Sequence, residues 1–192
     1  YWDVEKNGKL TPKQITFSST KPIHLKCPKN HEWISDAHHF IKSPQCPICS
    51  GERILAGYND LGTTHPHLKE LWSEKNSQNI SDFSYGSNIS VWWKCKTCNG
   101  EYKMKVIEKA QRNFGCPYCN NRKLLKGYND LQTKFPHLAK EWSSKNKTFP
   151  EDCLPYSKES VYWECSKKHD YKATILARTS KGKVCPYCNN KE

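Results

Sequence analysis

The sequence predicts a small, metal-stabilised α+β fold made of three tandem modules joined by short helical connectors. Three observations carry this expectation. A sixteen-residue segment recurs at an offset of seventy, as GYNDLGTTHPHLKELW from Gly57 to Trp72 and GYNDLQTKFPHLAKEW from Gly127 to Trp142, with ten identical positions. Cysteines and histidines fall into three sets of four, each made of two short pairs that start about twenty residues apart. Only 35% of the 192 residues are hydrophobic, and they are scattered. Modules that bury so little apolar surface need a covalent or metal staple.

The repeat sets the order of elements. Trp2, Trp72 and Trp142 are each followed within a few residues by Lys-Asn. Next come a polar loop, an apolar-aromatic pulse (IHLKC, VWWKC, VYWEC), a ligand pair, a basic stretch and a CPxC pair. The boundaries that follow are modules at 1–56, 72–126 and 142–192, with connectors at 57–71 and 127–141. Val91–Lys94 and Val161–Glu164 are β-branched and aromatic, as strands are. Glu101–Glu108 (EYKMKVIE) sets Tyr102, Met104 and Val106 against Lys103 and Lys105, the period of a half-buried strand. Pro66–Trp72 and Pro136–Trp142 fit a short helix with Thr63 or Thr64 and Thr133 as N-caps. Gly57-Tyr-Asn-Asp and Gly127-Tyr-Asn-Asp read as turns, and Trp72 and Trp142 as packing against the next module's sheet.

The metal-ligating sets are Cys27, His31, Cys46 and Cys49; Cys95, Cys98, Cys116 and Cys119; and Cys165, His169, Cys185 and Cys188. A short spacing lets one tight knuckle aim two donors at one ion. Histidine takes the place of Cys98 in the outer modules, which disulfide bonding does not explain and zinc accepts. Iron in the all-cysteine second module is the alternative, and it fits poorly beside two Cys3His sets. Three structural zinc ions per chain are expected, each with four protein ligands and no open position for water. Each module holding its own metal predicts that the modules behave independently. Cys153, in the polar stretch EDCLPYS, is left over as a bystander, and His24, His38, His39, His65, His67 and His137 fit no ligand spacing. Glu32, Glu101 and Asp170 follow the second ligand of each set and read as surface groups or supports of the ligands. No nucleophile–base pair or phosphate-cradling glycine loop occurs, so no enzyme is expected.

These motifs together resemble the zinc-ribbon or treble-clef zinc-finger repeats of bacteria, phages and large DNA viruses, over nearly the whole chain. The shared pattern is Trp followed by Lys-Asn, Trp-x-Cys-x3-His-Glu-Trp, Cys-Pro-x-Cys, and Gly-Tyr-Asn-Asp-Leu-x-Thr-x2-Pro. The resemblance implies the twelve ligands named above and attachment to endonuclease domains of the very-short-patch-repair-like or restriction type. It carries no catalytic residue. The second module departs from the pattern with Cys98 and one extra residue before Glu101. The first has Ile23-His24-Leu25 where the others have aromatic pairs.

The net charge is +12, with 27 Lys and four Arg, which favours a polyanionic partner. Residues 1–71 carry 9 basic and 7 acidic side chains, residues 72–141 carry 12 and 6, and residues 142–192 carry 10 and 6. Lys103, Lys105, Lys109 and Arg112 are expected on one outward face of the second module. Lys172, Arg178, Lys181 and Lys183 repeat the theme in the third, while the first has His38, His39 and Lys42. Such rows suit phosphate oxygens and give affinity without sequence reading. Base reading would fall to Arg112, Arg178, Gln111, Asn113, Asn120 or Asn189.

The expected function is a zinc-dependent array gripping duplex DNA, as the targeting part of a larger nuclease, phage or mobile-element protein. One alternative is a protein-interaction adaptor. Another is an RNA or single-strand binder that stacks bases on Trp92, Tyr162 or Trp33. No run of apolar residues is long enough for a membrane span, so a reducing cytoplasmic setting, with association to the nucleoid, is expected. A first residue of Tyr1 rather than Met suggests a piece of a longer chain.

Overall fold

The computed structural model describes residues 1–182 and 184–189. Three two-stranded sheets carry the fold: β1 (Ile23–Lys26) with β2 (Glu32–Ser35), β3 (Ser90–Lys94) with β4 (Glu101–Lys105), and β5 (Ser160–Glu164) with β6 (Asp170–Thr174). The helices are all short. In chain order they are α1 (Val4–Asn7), α2 (Ala37–Lys42), α3 (Leu61–Thr64), α4 (Val106–Ala110), α5 (Leu131–Lys134), α6 (Pro136–Ala139), α7 (Ile175–Lys181) and α8 (Pro186–Asn189). Two compact units result. One holds residues 1–70, 76–89 and 105–111, and the other 71–75, 90–104 and 112–192.

Each sheet is extended by its tryptophan. Trp2, Trp72 and Trp142 form single antiparallel bridges to Leu25, Trp93 and Trp163, and the indoles of Trp72 and Trp142 meet those of Trp93 and Trp163 edge-on at 5.4 and 5.3 Å. The Lys-Asn that follows has a backbone role. Asn146 accepts the Tyr162 N–H at 2.8 Å and donates to its carbonyl at 2.7 Å, doing for the outer edge of β5 what a neighbouring strand would do. Asn7 does the same for His24. Unpaired strand edges are thereby satisfied without a third strand.

The period-two reading of Glu101–Glu108 fails after Lys105. The strand ends there, and Val106 opens α4. The turn is fixed by backbone hydrogen bonds from Val106 to Ile89 (3.1 Å) and from Ile107 to Ser87 (2.9 Å). Ile175 and Leu176 make the equivalent bonds to Glu159 and Ser157 where α7 begins. In α2 and α7 the side chains of Asp36 and Thr174 cap the first turn.

The connectors also begin earlier than expected. Asp60 and Asp130 are the N-caps, accepting the N–H of Thr63 at 3.0 Å and of Thr133 at 2.7 Å. The threonines therefore lie within the first turn and are not its caps. Gly57 and Gly127 take φ of +82° and +75° so that their own N–H groups reach the same carboxylates.

Leu131 and Leu138 of the second connector share a core with Cys153, Val161, Trp163, Tyr171 and Ile175. Cys153 is thus corrected from a loop bystander to a core residue, 4% exposed, whose carbonyl accepts the Leu131 N–H at 2.9 Å. It closes the 3-10 turn Pro150–Asp152 as Phe83 closes Ile80–Asp82 and Ile15 closes Pro12–Gln14. In the first module Ile23, Leu25, Trp33 and Ile48 form the core, with Trp2, Ile15 and Phe40 against it.

Candidate metal centres

Each hairpin turn and the CPxC knuckle after it bring four ligand atoms within 4.8 Å of one another. Cys27, His31, Cys46 and Cys49 form the first cluster, Cys95, Cys98, Cys116 and Cys119 the second, and Cys165, His169, Cys185 and Cys188 the third. Sulfur separations are 3.9 Å for Cys27–Cys49, 3.6 Å for Cys95–Cys119 and Cys98–Cys116, and 3.8 Å for Cys165–Cys188. A zinc tetrahedron with bonds of about 2.3 Å has edges of about 3.8 Å, and a disulfide would need about 2.05 Å. Both histidines turn Nδ1 inward, His31 at 3.2 Å from Cys49 Sγ and His169 at 3.4 Å from Cys188 Sγ. The donor set and its spacing fit one zinc ion per cluster.

The local backbone prepares the thiolates. Asn30, Asn99 and Lys168 sit at positive φ in the three hairpin turns, and N–H groups of each turn point at its first cysteine. Burial works to raise the Cys27 thiol, but the N–H groups of His31 and Lys29 outweigh it and hold Cys27 low. The same balance takes Cys95 to about 6, with Cys98 and Thr97 donating. Cys165 is lowered likewise, with His169 and Lys167 donating.

The connector after each of the first two knuckles completes the site, a role not read from the sequence. Asn59 donates to the carbonyl of Ile48, inside the CPxC of the first module, at 2.8 Å and to that of Arg53 at 3.0 Å. Asn129 repeats this with Tyr118 and Lys123. The preceding tyrosine touches a ligand directly. The Tyr58 ring packs edge-on to His31 with centroids 4.2 Å apart, and Tyr128 Oη lies 3.4 Å from Cys119 Sγ. That hydrogen bond, with burial behind it, pushes the Tyr128 phenol up to about 12, so it stays a donor to the thiolate. In the second module Gly100 takes the backbone place that His31 and His169 hold in the others, accepting the Cys95 N–H at 3.0 Å, and a Cβ there would fall 2.6 Å from the Tyr118 ring. The repetition of Gly-Tyr-Asn-Asp at a fixed distance after CPxC was the available signal.

A family described as a probable treble clef zinc finger domain matches the chain three times, at residues 1–52, 68–122 and 138–191. The chain belongs to this family. Comparison with curated proteins returned no match. Three tandem treble clef modules, each with a cluster able to hold one zinc, thus account for the repeat. Four protein ligands per treble clef make these structural metal sites that stabilise folds too small to stand on apolar burial alone.

The structure sorts the basic residues expected to bind nucleic acid. Lys103, Lys105, Arg112 and Lys172 are exposed. Lys109 and Arg178 are not: they occupy equivalent positions in α4 and α7, 9% and 7% exposed. Arg178 pairs with Glu141, and its guanidinium lies 5.2 Å from the Trp163 ring centre and 5.7 Å from that of Tyr171. Each is the fourth residue of its helix, and the strand face expected to lead up to Lys109 ends at Lys105. Lys181 is described only by its place in α7, and Lys183 lies outside the described residues. Gln111, Asn113, Asn120 and Asn189 are exposed.

Of the aromatic rings considered for stacking, Trp33 is buried, and Trp92 and Tyr162 are half-buried beneath lysines. Lys75 and Lys103 approach the Trp92 ring centre at 5.0 and 5.2 Å. Lys172 lies 4.8 Å from that of Tyr162, its direct partner across the hairpin. The first module places His24 and Ile34 at this cross-strand position. The acids beside the second ligands serve the same hairpins. Glu101 accepts from Ser73 Oγ at 2.5 Å and pairs with Lys75 at 2.7 Å, and Asp170 accepts from Ser143 Oγ at 2.7 Å and pairs with Lys145 at 2.6 Å.

Proposed function

We propose that the chain is a zinc-dependent nucleic-acid-binding array that grips duplex DNA from the hairpin faces of its second and third modules. The observation that carries this reading is the repeated aromatic–lysine pair, Trp92 with Lys103 and Tyr162 with Lys172. A lysine stem laid over a ring keeps its ammonium at the surface in a fixed place and at low entropic cost, which suits a phosphate oxygen. Rings covered in this way are poor platforms for bases, which favours backbone contacts over single-strand stacking. The excess of +6 and +4 over residues 72–141 and 142–192, against +2 over residues 1–71, points the same way. The array has no catalytic step of its own in this reading. The family resemblance supports a role as the targeting part of a larger nuclease, phage or mobile-element protein, and sites rich in thiolate suit a reducing compartment.

Gel-shift titration over a range of salt tests the proposal. Changing Lys103, Lys105 and Lys172 to Ala is expected to weaken duplex binding and to flatten its salt dependence, by about 0.9 in slope for each phosphate no longer neutralised. Lys9, Lys13 and Lys21 changed together serve as the control and should do much less. Equal binding by the triple variant at every salt concentration, or preference for RNA or single strands in competition, would overturn it, and the adaptor reading would lead if no nucleic acid bound.

A further inference from the structure

The first module carries an apolar groove of about 280 Å³ lined by Trp2, Ile15, Phe17, Leu25, Phe40 and Ile41 among others. Phe17 is 84% exposed and Ile41 51%. Aligning the three modules on their 3-10 turns and hairpins shows what the groove corresponds to. Ile15, Ile23, Leu25 and Trp2 are the counterparts of Cys153, Val161, Trp163 and Trp142. In the third module those four residues surround Leu131 and Leu138 of the connector. Leu131 also donates its N–H to the carbonyl of Cys153 at 2.9 Å, and Leu61 donates to Phe83 at 2.7 Å. The residue closing the 3-10 turn is buried in both cases, at 4% for Cys153 and 2% for Phe83, whereas Ile15 is only half-buried.

We propose that this groove is a docking site for a connector-type segment. Such a segment is a helical turn of the Asp-Leu-x-Thr kind, with a second leucine seven residues on, arriving on the N-terminal side of Trp2. Its first leucine would seat between Ile15 and Leu25 and give its N–H to the Ile15 carbonyl, and its second would cover Phe17 and Ile23. A second copy of the chain is a poor source, because both of its connectors are engaged with their own downstream residues through Leu61 and Leu131. Lining that matches the filled groove of the third module position by position sets this patch apart from an ordinary exposed apolar face.

The test is made on the full chain with its own residues 127–140 repeated directly ahead of Tyr1, the register in which Lys140 precedes Glu141 in the third module. Two forms are compared, one with the repeated segment intact and one with its two leucines changed to Ala. Zinc-loaded protein is followed by binding of an anilinonaphthalene dye and by amide hydrogen exchange at Ile15, Ile23 and Leu25. The intact extension is expected to lower dye binding several-fold against the unextended chain and to slow exchange at those amides, and the leucine-free extension to do neither. Identical behaviour of the two extended forms would overturn the proposal. So would loss of dye binding by the unextended chain as its concentration rises, since a second copy would then cover the groove.

Discussion

Asn129 donates from one side-chain amide to the carbonyls of Tyr118 and Lys123, at 2.8 and 2.9 Å, while its own carbonyl oxygen accepts the Leu125 N–H at 2.7 Å. Two residues later, Leu131 donates to the carbonyl of Cys153. One pentapeptide therefore holds the zinc knuckle behind it and the apolar core ahead of it.

Replacing Asn129 by Ala leaves two partly buried carbonyls without that donor, and a loss of about 1–3 kcal/mol is expected. Denaturant unfolding measures it. Asn129→Asp, which keeps the acceptor and removes the donors, should be nearly as costly. A stability close to that of the parent would mean that water replaces the amide and that the tie is dispensable.

Removing a knuckle ligand tests how far modules depend on one another. Independent modules would make Cys116→Ser a local lesion, costing one zinc of three. The geometry around Asn129 and Leu131 predicts more: zinc in the first cluster is retained, while the third module keeps its zinc but unfolds at lower temperature. Metal analysis with thermal unfolding separates the two, and an unchanged transition for the third module would show that the connector does not transmit the damage.

Arg178 is expected to contribute to stability and not to nucleic-acid affinity. Arg178→Ala removes the stacked guanidinium and strands Glu141, at a cost of about 2–4 kcal/mol. Arg178→Lys should recover little, because an ammonium cannot lie flat on Trp163. Preserved duplex affinity in whatever fraction of the variant remains folded at low temperature is the second part of the expectation.

Acid should act on the metal sites before it acts on the caps. Burial raises the Asp60 and Asp130 carboxyls, but donation from Thr63, Thr133, Gly57 and Gly127 outweighs it and holds both below the usual value. A depressed folded value means that their contribution is complete above about 3.9 and lost as pH falls through the lower value. Between pH 7 and 5 both caps therefore stay ionised, while protons compete with the metal for its ligands. Zinc release in that window should shift to lower pH with added zinc and be unmoved by Asp130→Asn. A midpoint that follows the Asp130 substitution would show the cap titrating instead.

The ligand sets were legible because each pair is local: two donors within four residues can meet whatever the rest of the chain does. The same locality made the Gly-Tyr-Asn-Asp turn and the hairpins readable. The outward lysine face was partly misread at Val106. A five-residue helix gives no 3.6-residue period to detect, and Val106 falls where the strand alternation would also put an apolar residue. Lys109 went wrong for that reason, and Arg178 because the third module was read by analogy with the second. Cys153 looked polar from its neighbours, and only the long-range partnership with Leu131 reveals it as the counterpart of Phe83. The Trp-Lys-Asn signature was visible, yet its purpose was not, since an asparagine that stands in for a strand is recognised only when the edge it covers is known.

The clasp formed by Asn59 and Asn129 also governs how such a chain can change in length. Every tie is measured from the knuckle before or the turn after, so copy number grows or shrinks most easily in whole repeats, as between Gly57 and Gly127. Excising Gly57 through Lys126 would join Ala56 to Gly127 and present Asn129 to Ile48 and Arg53, the two carbonyls that Asn59 holds. Leu131 would keep its bond to Cys153. The join would leave no trace in either site, and the natural unit of duplication therefore runs from one Gly-Tyr-Asn-Asp to the next, cutting across the zinc modules that the eye first picks out.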